Sequence, residues 1–199
     1  MVENLRAKNR KDKKRRLLDQ GLHLIAQKGL NQCTIEDITK TAGVAKGTFF
    51  THFSSKEVFL DELVSTCLAD LGRRISPLAV VNHNAVQLLA NLGGVHLRYF
   101  QLRPYAASLL MQILSVHGVG PTGQNNQLQN HIELVAGLIK PKASEFNWPE
   151  ERCLELALAI FSMSCGLFVV GSPLGLTANT PTSILNRFSK VVAKGITAE

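Results

Sequence analysis

Residues 42–53 read Ala-Gly-Val-Ala-Lys-Gly-Thr-Phe-Phe-Thr-His-Phe, AGVAKGTFFTHF. Two glycines and a lysine suggest a backbone that an anion can approach. Three phenylalanines suggest a core. A helix over 45–53 reconciles them. At 100° per residue, Ala45, Phe49 and Phe53 form one stripe, Gly47 and Thr51 fall on the opposite face, and Thr48 and Phe50 take the flanks. Phe49 and Phe53 are then core, Gly47 is bare on the outward face, and Lys46 projects from the first turn. Glycine inside a helix costs about 1 kcal/mol relative to alanine. That cost makes sense where something must come close to the backbone. Free N–H groups and a lysine at the start of a helix favour an anion there.

Working outward, Thr34 followed by Asp37 has the form of a capping box, with Asp in the place of Glu or Gln. Ile35, Ile38 and Ala42 share a face, and Glu36 and Asp37 suit the positive end of the helix dipole. Gly43 ends this second helix after about eight residues. The spacing of Leu18, Leu22, Ile25 and Ala26 predicts a first helix from about Asp12 to Lys28, with Gly29 as its C′ residue. A fourth helix starts at Ser54 or Ser55 and runs toward Ser76, where Pro77 ends it. The short second helix, the Ala-Gly-Val turn and the helix that follows form a helix-turn-helix. In that motif the second helix enters the DNA major groove with its N-terminal residues leading.

Thr34–Phe59, TIEDITKTAGVAKGTFFTHFSSKEVF, resembles the DNA-binding signature of the TetR family of bacterial transcriptional regulators. The resemblance covers about residues 10–65. It implies that Thr34 caps the second helix and bonds a phosphate, and that Lys46 reaches phosphates or a base edge. It implies close approach at Gly47, DNA-facing roles for Thr48 and Thr51, and phosphate contacts from His52 and Lys56. The chain departs from the family pattern at Phe50, where tyrosine is common, and at Thr51, where a larger residue is common. A phenyl ring cannot donate to phosphate, but it can touch a thymine methyl.

The 199 residues carry a formal net charge of +7. Residues 1–60 hold 12 Lys/Arg against 6 Asp/Glu, so the excess sits in the first third. Residues 6–16, RAKNRKDKKRR, hold eight of those basic side chains. They form an arm expected to follow the DNA backbone or enter the minor groove. Cys33, Cys67, Cys153 and Cys165 have neither zinc nor disulfide spacing and fit a reducing cytoplasm. No cofactor or metal site is expected. Gly118–Gly123 matches GxGxxG formally but follows no strand, and no catalytic constellation is present, so an enzyme is not expected. No apolar signal segment follows the basic start. The longest apolar run, Leu156–Gly171, is 16 residues, short of the ~20 that span a membrane.

The spacing predicts an all-α chain: an N-terminal three-helix DNA-binding domain over 1–60 and a helical effector-binding and dimerisation domain over 61–199. Further helices are expected at 84–102, 104–117, 126–140, 149–171 and 181–195, with loops at 117–125, 141–149 and 172–181. The 149–171 helix is apolar nearly all round and reads as buried on all sides. By the resemblance it pairs with 181–195 in a homodimer, and two-fold symmetry then predicts a near-palindromic double-stranded operator. The resemblance also implies a small hydrophobic or amphipathic effector that releases a repressor from DNA. Phe100, Met111, Leu114, His117, Phe161, Cys165 and Phe168 are candidates for its pocket. Two readings compete with this one: an enzyme or lipid carrier with an incidental basic segment, and a DNA-binding protein whose second domain only dimerises.

Overall fold

Every described element of the computed structural model is helical; it describes residues 2–116, 123–146, 149–171, 174 and 179–193. The α-helices are α1 (Val2–Lys28), α2 (Ile35–Ala42), α3 (Lys46–Phe50), α4 (Lys56–Ile75), α5 (Ala85–Leu102), α6 (Pro104–Val116), α7 (Gly123–Ile139), α8 (Cys153–Gly171) and α9 (Asn179–Ala193). Short 3-10 turns lie at Ser76–Ala79, Lys140–Phe146 and Glu150–Arg152. The expected loop over 141–149 is therefore largely 3-10 helix. The expected loops at 117–125 and 172–181 fall mainly outside the described residues.

α1 begins at Val2, about ten residues before the expected start at Asp12. The basic arm is helix, not a loose strand, because residues 5–16 are mostly strong helix formers with no glycine or proline among them. An Arg15–Asp12 ion pair at i,i+3 adds to this. α3 is shorter than expected, but Phe53 N–H still donates to Phe49 C=O at 2.9 Å, so the helical path carries on to the phenylalanine.

The first three helices close around Leu17, Ile25, Ile38, Phe49 and Phe53, all buried. Phe59 of α4 enters the same core. The Phe49, Phe53 and Phe59 ring centroids lie 5.0–5.4 Å apart. Gly21 lets α1 approach this cluster: a Cβ there would sit 2.2 Å from the tip of the Phe59 ring. α4 is unbroken from this core into the second group of helices, passing through the expected boundary at residue 60. There α5 packs against α8 and α9, and α7 against α4 and α8.

α8 departs from expectation. With the preceding 3-10 turn it forms a 22-residue segment, Glu150–Gly171, long and apolar enough to cross a membrane by length and composition alone. Leu156, Ala157, Ile160, Phe161, Ser164 and Cys165 are buried in the core, as in a core helix. Its other face is not buried: Leu154, Leu158 and Val170 are about half exposed.

Two histidines lie inside the second core. His96 Nδ1 is 2.7 Å from Leu92 C=O, and a carbonyl can only accept, so Nδ1 carries the proton. His96 Nε2 is then an acceptor and takes the N–H of His131 Nε2 at 3.0 Å. Both imidazoles are neutral. Burial holds each pKa well below the ordinary histidine value, and for His131 the neighbouring His96 adds to the effect. The unfolded chain takes up protons on both near pH 6.5, while the folded chain resists. Stability should therefore fall as pH drops below about 6.5, by up to ~1.4 kcal/mol per pH unit for each histidine. Urea denaturation at pH 7.5, 6 and 5 checks this. The paired change His96→Leu with His131→Leu should flatten the dependence.

Candidate nucleic-acid interface

α2 starts where its sequence cap places it. Thr34 Oγ1 accepts from Asp37 N–H at 3.1 Å, and Asp37 Oδ2 accepts from Thr34 N–H at 3.1 Å and from the Thr34 hydroxyl at 2.8 Å. The Thr34 hydroxyl, its backbone N–H and then Lys28 hold the Asp37 carboxyl down at about 2. α2 ends at Gly43, in the left-handed region at φ +63°. Its N–H returns to Lys40 C=O at 3.1 Å, and the Val44 N–H to Thr39 C=O at 3.0 Å. Arg16 of α1 donates to Ala42 C=O beside this turn. The basic run thus braces the turn as well as supplying positive charge to the surface.

α3 presents two unlike faces. Phe49 is fully buried. Gly47 is exposed, and a Cβ built on it would meet nothing within 4 Å. Its backbone φ is not in the left-handed region. Neither packing nor conformation therefore calls for glycine here, in contrast to Gly43, where a Cβ would lie 2.9 Å from the Arg16 guanidinium.

The other candidate residues take distinct places. Lys46 is exposed and pairs with Glu36 across the turn. That hydrogen bond is the main cause of the lowered Glu36 pKa. Thr34 is exposed with its hydroxyl engaged in the cap, Thr48 is half-buried, and Thr51 is exposed with its hydroxyl donating to Thr48 C=O at 2.7 Å. Phe50 is exposed, its ring edge-on to Phe49 at 5.5 Å. Lys56 Nζ donates to Leu30 C=O at 2.7 Å, a tether between α4 and the α1–α2 turn.

His52 is half-buried and lines a groove of about 610 Å³ with Arg6, Ala7, Arg10, Lys11 and Lys14 of α1. Arg6, Arg10 and Lys14 are spaced i, i+4, i+8, one stripe of a helix. Burial, and then Arg10, Lys14 and Lys13, push the His52 pKa below its ordinary value. Lys14 also pairs with Glu62 at 2.8 Å and lies 5.6 Å over the Phe53 ring. Sequence reasoning treats these cations as an arm and misses the stripe, although the four-residue spacing is its signal.

The effector candidates lie apart from this face. Phe100, Phe161 and Cys165 are fully buried, and Phe168 and Met111 pack partly buried against the same core. Phe100 lies 6.3 Å from Phe161 and 6.4 Å from Phe168, and Phe161 lies 5.5 Å from His131. Burial raises the Cys165 thiol to about 12, so it stays protonated. The Leu114 side chain and His117 lie outside the described residues. A separate surface groove of about 550 Å³ runs between α7 and α8, lined by Leu128, Ile132, Leu154 and Leu158 among others.

Residues 17–63 match the family model described as bacterial regulatory proteins, tetR family. The HTH-type transcriptional repressor DhaR of Mycobacterium sp. (strain GP1) is 37% identical over 60 residues, 30% of this chain and 30% of that protein. The HTH-type transcriptional repressor KstR2 of Rhodococcus jostii (strain RHA1) is 42% identical over 55 residues, 28% of this chain and 27% of that protein. The chain thus spans under a third of the length of these relatives. Likeness over the whole chain is a likeness of fold. The fatty acid degradation regulator FadR from Bacillus halodurans superposes with a TM-score of 0.76 at 18% identity, covering 94% of this chain and 97% of that one.

The two turn-and-helix glycines should respond oppositely to alanine. Gly43→Ala places a side chain at positive φ against Arg16 and should lower stability by at least ~1 kcal/mol. Gly47→Ala should leave it unchanged or raise it by up to ~1 kcal/mol. Paired thermal melts decide this.

Proposed function

We propose that this chain, whose residues 17–63 belong to the tetR family of bacterial regulatory proteins, is a dimeric, sequence-reading transcriptional repressor of the bacterial cytoplasm. The observation that carries the reading is Gly47: an exposed glycine in α3 that the fold does not need, directly opposite a buried phenylalanine. An absent side chain has a use there if the backbone itself meets a surface. The basic groove that His52, five residues along the chain, lines with α1 gives that surface its sign.

In this reading residues 1–60 form the reading head. Lys46 exchanges Glu36 for a phosphate or base edge. Gly47, Thr48, Phe50 and Thr51 meet the groove, and Thr34, His52 and Lys56 lie where the flanking phosphates pass. The α1 stripe follows the backbone as a helix instead of an extended arm. A phosphate beside His52 would favour its charged form.

Residues 61–199 form the effector and dimerisation domain. Leu154, Leu158 and Val170 on α8, with Ile184 and Val191 on α9, are apolar side chains left exposed in the single chain. A two-fold partner would cover them, and two heads so related read a near-palindromic operator. The effector is a small hydrophobic or amphipathic molecule accommodated near Phe100, Phe161, Cys165 and Phe168. It acts by favouring a form whose two heads no longer match the groove spacing.

Selection from a random duplex pool tests the reading. It should enrich one near-palindromic site bound with a steep salt dependence. Lys46→Ala should weaken binding. If Lys46 holds a phosphate, the substitution should also reduce the slope of log K against log salt by about 0.9 for each phosphate no longer neutralised. Failure to enrich any site contradicts the reading.

A further inference from the structure

α6 touches α1 at two points on one stripe. Tyr105 meets His23 edge-on, ring centroids 4.5 Å apart. Seven residues along α6, Gln112 closes over the end of α1. Its Oε1 accepts the Leu30 N–H at 2.8 Å, and its Nε2 donates to Ile25 C=O at 3.2 Å. Ser108, between them on the same stripe, accepts from Gln112 Nε2 at 3.1 Å, which steadies the amide.

The groups it holds matter. Ile25 C=O, in the last turn of α1, accepts the Gly29 N–H at 2.9 Å, and the Gln112 amide is a second donor to the same oxygen. Gly29, at φ +87°, ends the helix in the left-handed region, and the next N–H donates to Gln112 instead of returning to an α1 carbonyl. That N–H belongs to Leu30, whose side chain is buried and whose own C=O is held by Lys56 at the start of α4. One residue between α1 and α2 is thus gripped on its N–H from α6 and on its C=O from α4. α2 and α3 follow directly from this turn, and Arg16 and the phenylalanine core fix them to α1.

We infer that Gln112 is a positioning residue for DNA reading: its side-chain amide ties the α1–α2 turn to α6 and so sets the angle at which α3 is presented. The inference rests on the DNA-reading proposal above. Gln112 lies on α6, remote from the face that carries Gly47 and Lys46, so it acts through Leu30 and not by touching phosphate.

The test uses the full chain and the duplex enriched from the random pool. Gln112→Leu removes the bonds to Leu30, Ile25 and Ser108, and Gln112→Glu keeps the acceptor for Leu30 N–H but loses the amide donor to Ile25 C=O and Ser108. Three quantities are read: operator affinity, its salt slope, and hydrogen exchange at the Leu30 amide in the free protein. Gln112→Leu should lose about tenfold or more in affinity, with the salt slope of the parent and faster exchange at Leu30. Gln112→Glu should fall between the two, with Leu30 still protected. Parent-like affinity for a folded Gln112→Leu chain overturns the inference, as does a loss matched by a reduced salt slope. If Gln112→Leu does not fold at the assay temperature, parent-like affinity of Gln112→Glu overturns it instead. A parent that enriches no duplex defeats the DNA reading itself, and an unprotected Leu30 amide in that parent then defeats the clasp as well.

Discussion

The contact between Gly21 and the Phe59 ring sets how the first three helices sit on the rest of the molecule. With no side chain at residue 21, α1 comes close enough to α4 for Phe59 to stack with Phe49 and Phe53. Two of these three rings, Phe49 and Phe53, are the inner half of the segment AGVAKGTFFTHF. Because its phenylalanines are held from behind, a five-residue helix too short to be stable alone has a fixed outward face. Gly47 and Lys46 have defined positions only because Phe49 and Phe53 do. The core signal and the anion signal in twelve residues are two sides of one small helix.

Charge is arranged around this core in two layers. Some of the basic run braces the fold: Arg16 holds the α2–α3 turn, and Lys14 reaches Glu62 on α4. Arg6, Arg10 and Lys11 line a groove with His52. Lys46 is matched to Glu36, an exposed pair that a polyanion can open at little cost, since exposed pairs contribute little to stability. Farther in, the molecule replaces charge with neutral polar pairs. His96 and His131 share one hydrogen bond in the second core, and Tyr99 donates to Cys67 C=O at 3.0 Å.

Local signals are legible in the sequence. The Thr34–Asp37 capping box, the Gly43 stop, the Ser55 cap and the buried faces of α2 and α3 each depend on a few neighbouring residues, and each is present. The order and approximate limits of the later helices follow from spacing in the same way. What stays hidden depends on partners far along the chain. The helical state of residues 2–11 is masked because polar helix formers leave no apolar period. The α8 face carrying Leu154 and Leu158 reads as buried because composition cannot tell a core face from an exposed apolar one. Gln112 carries no sequence signal at all, since its meaning lies in Leu30, 82 residues away. The Arg6–Arg10–Lys14 stripe is visible in the spacing, but without an apolar period beside it the same residues read equally well as an arm.

The central claim is that Gly47 is kept for a surface outside the molecule. Comparing operator binding by Gly47→Ala with the parent, at equal fold stability, tests it most directly. The account predicts a folded protein with stability equal to or above the parent and affinity for its selected duplex reduced by about tenfold or more, the scale of one lost base contact. Parent-like affinity in a folded Gly47→Ala chain would contradict it.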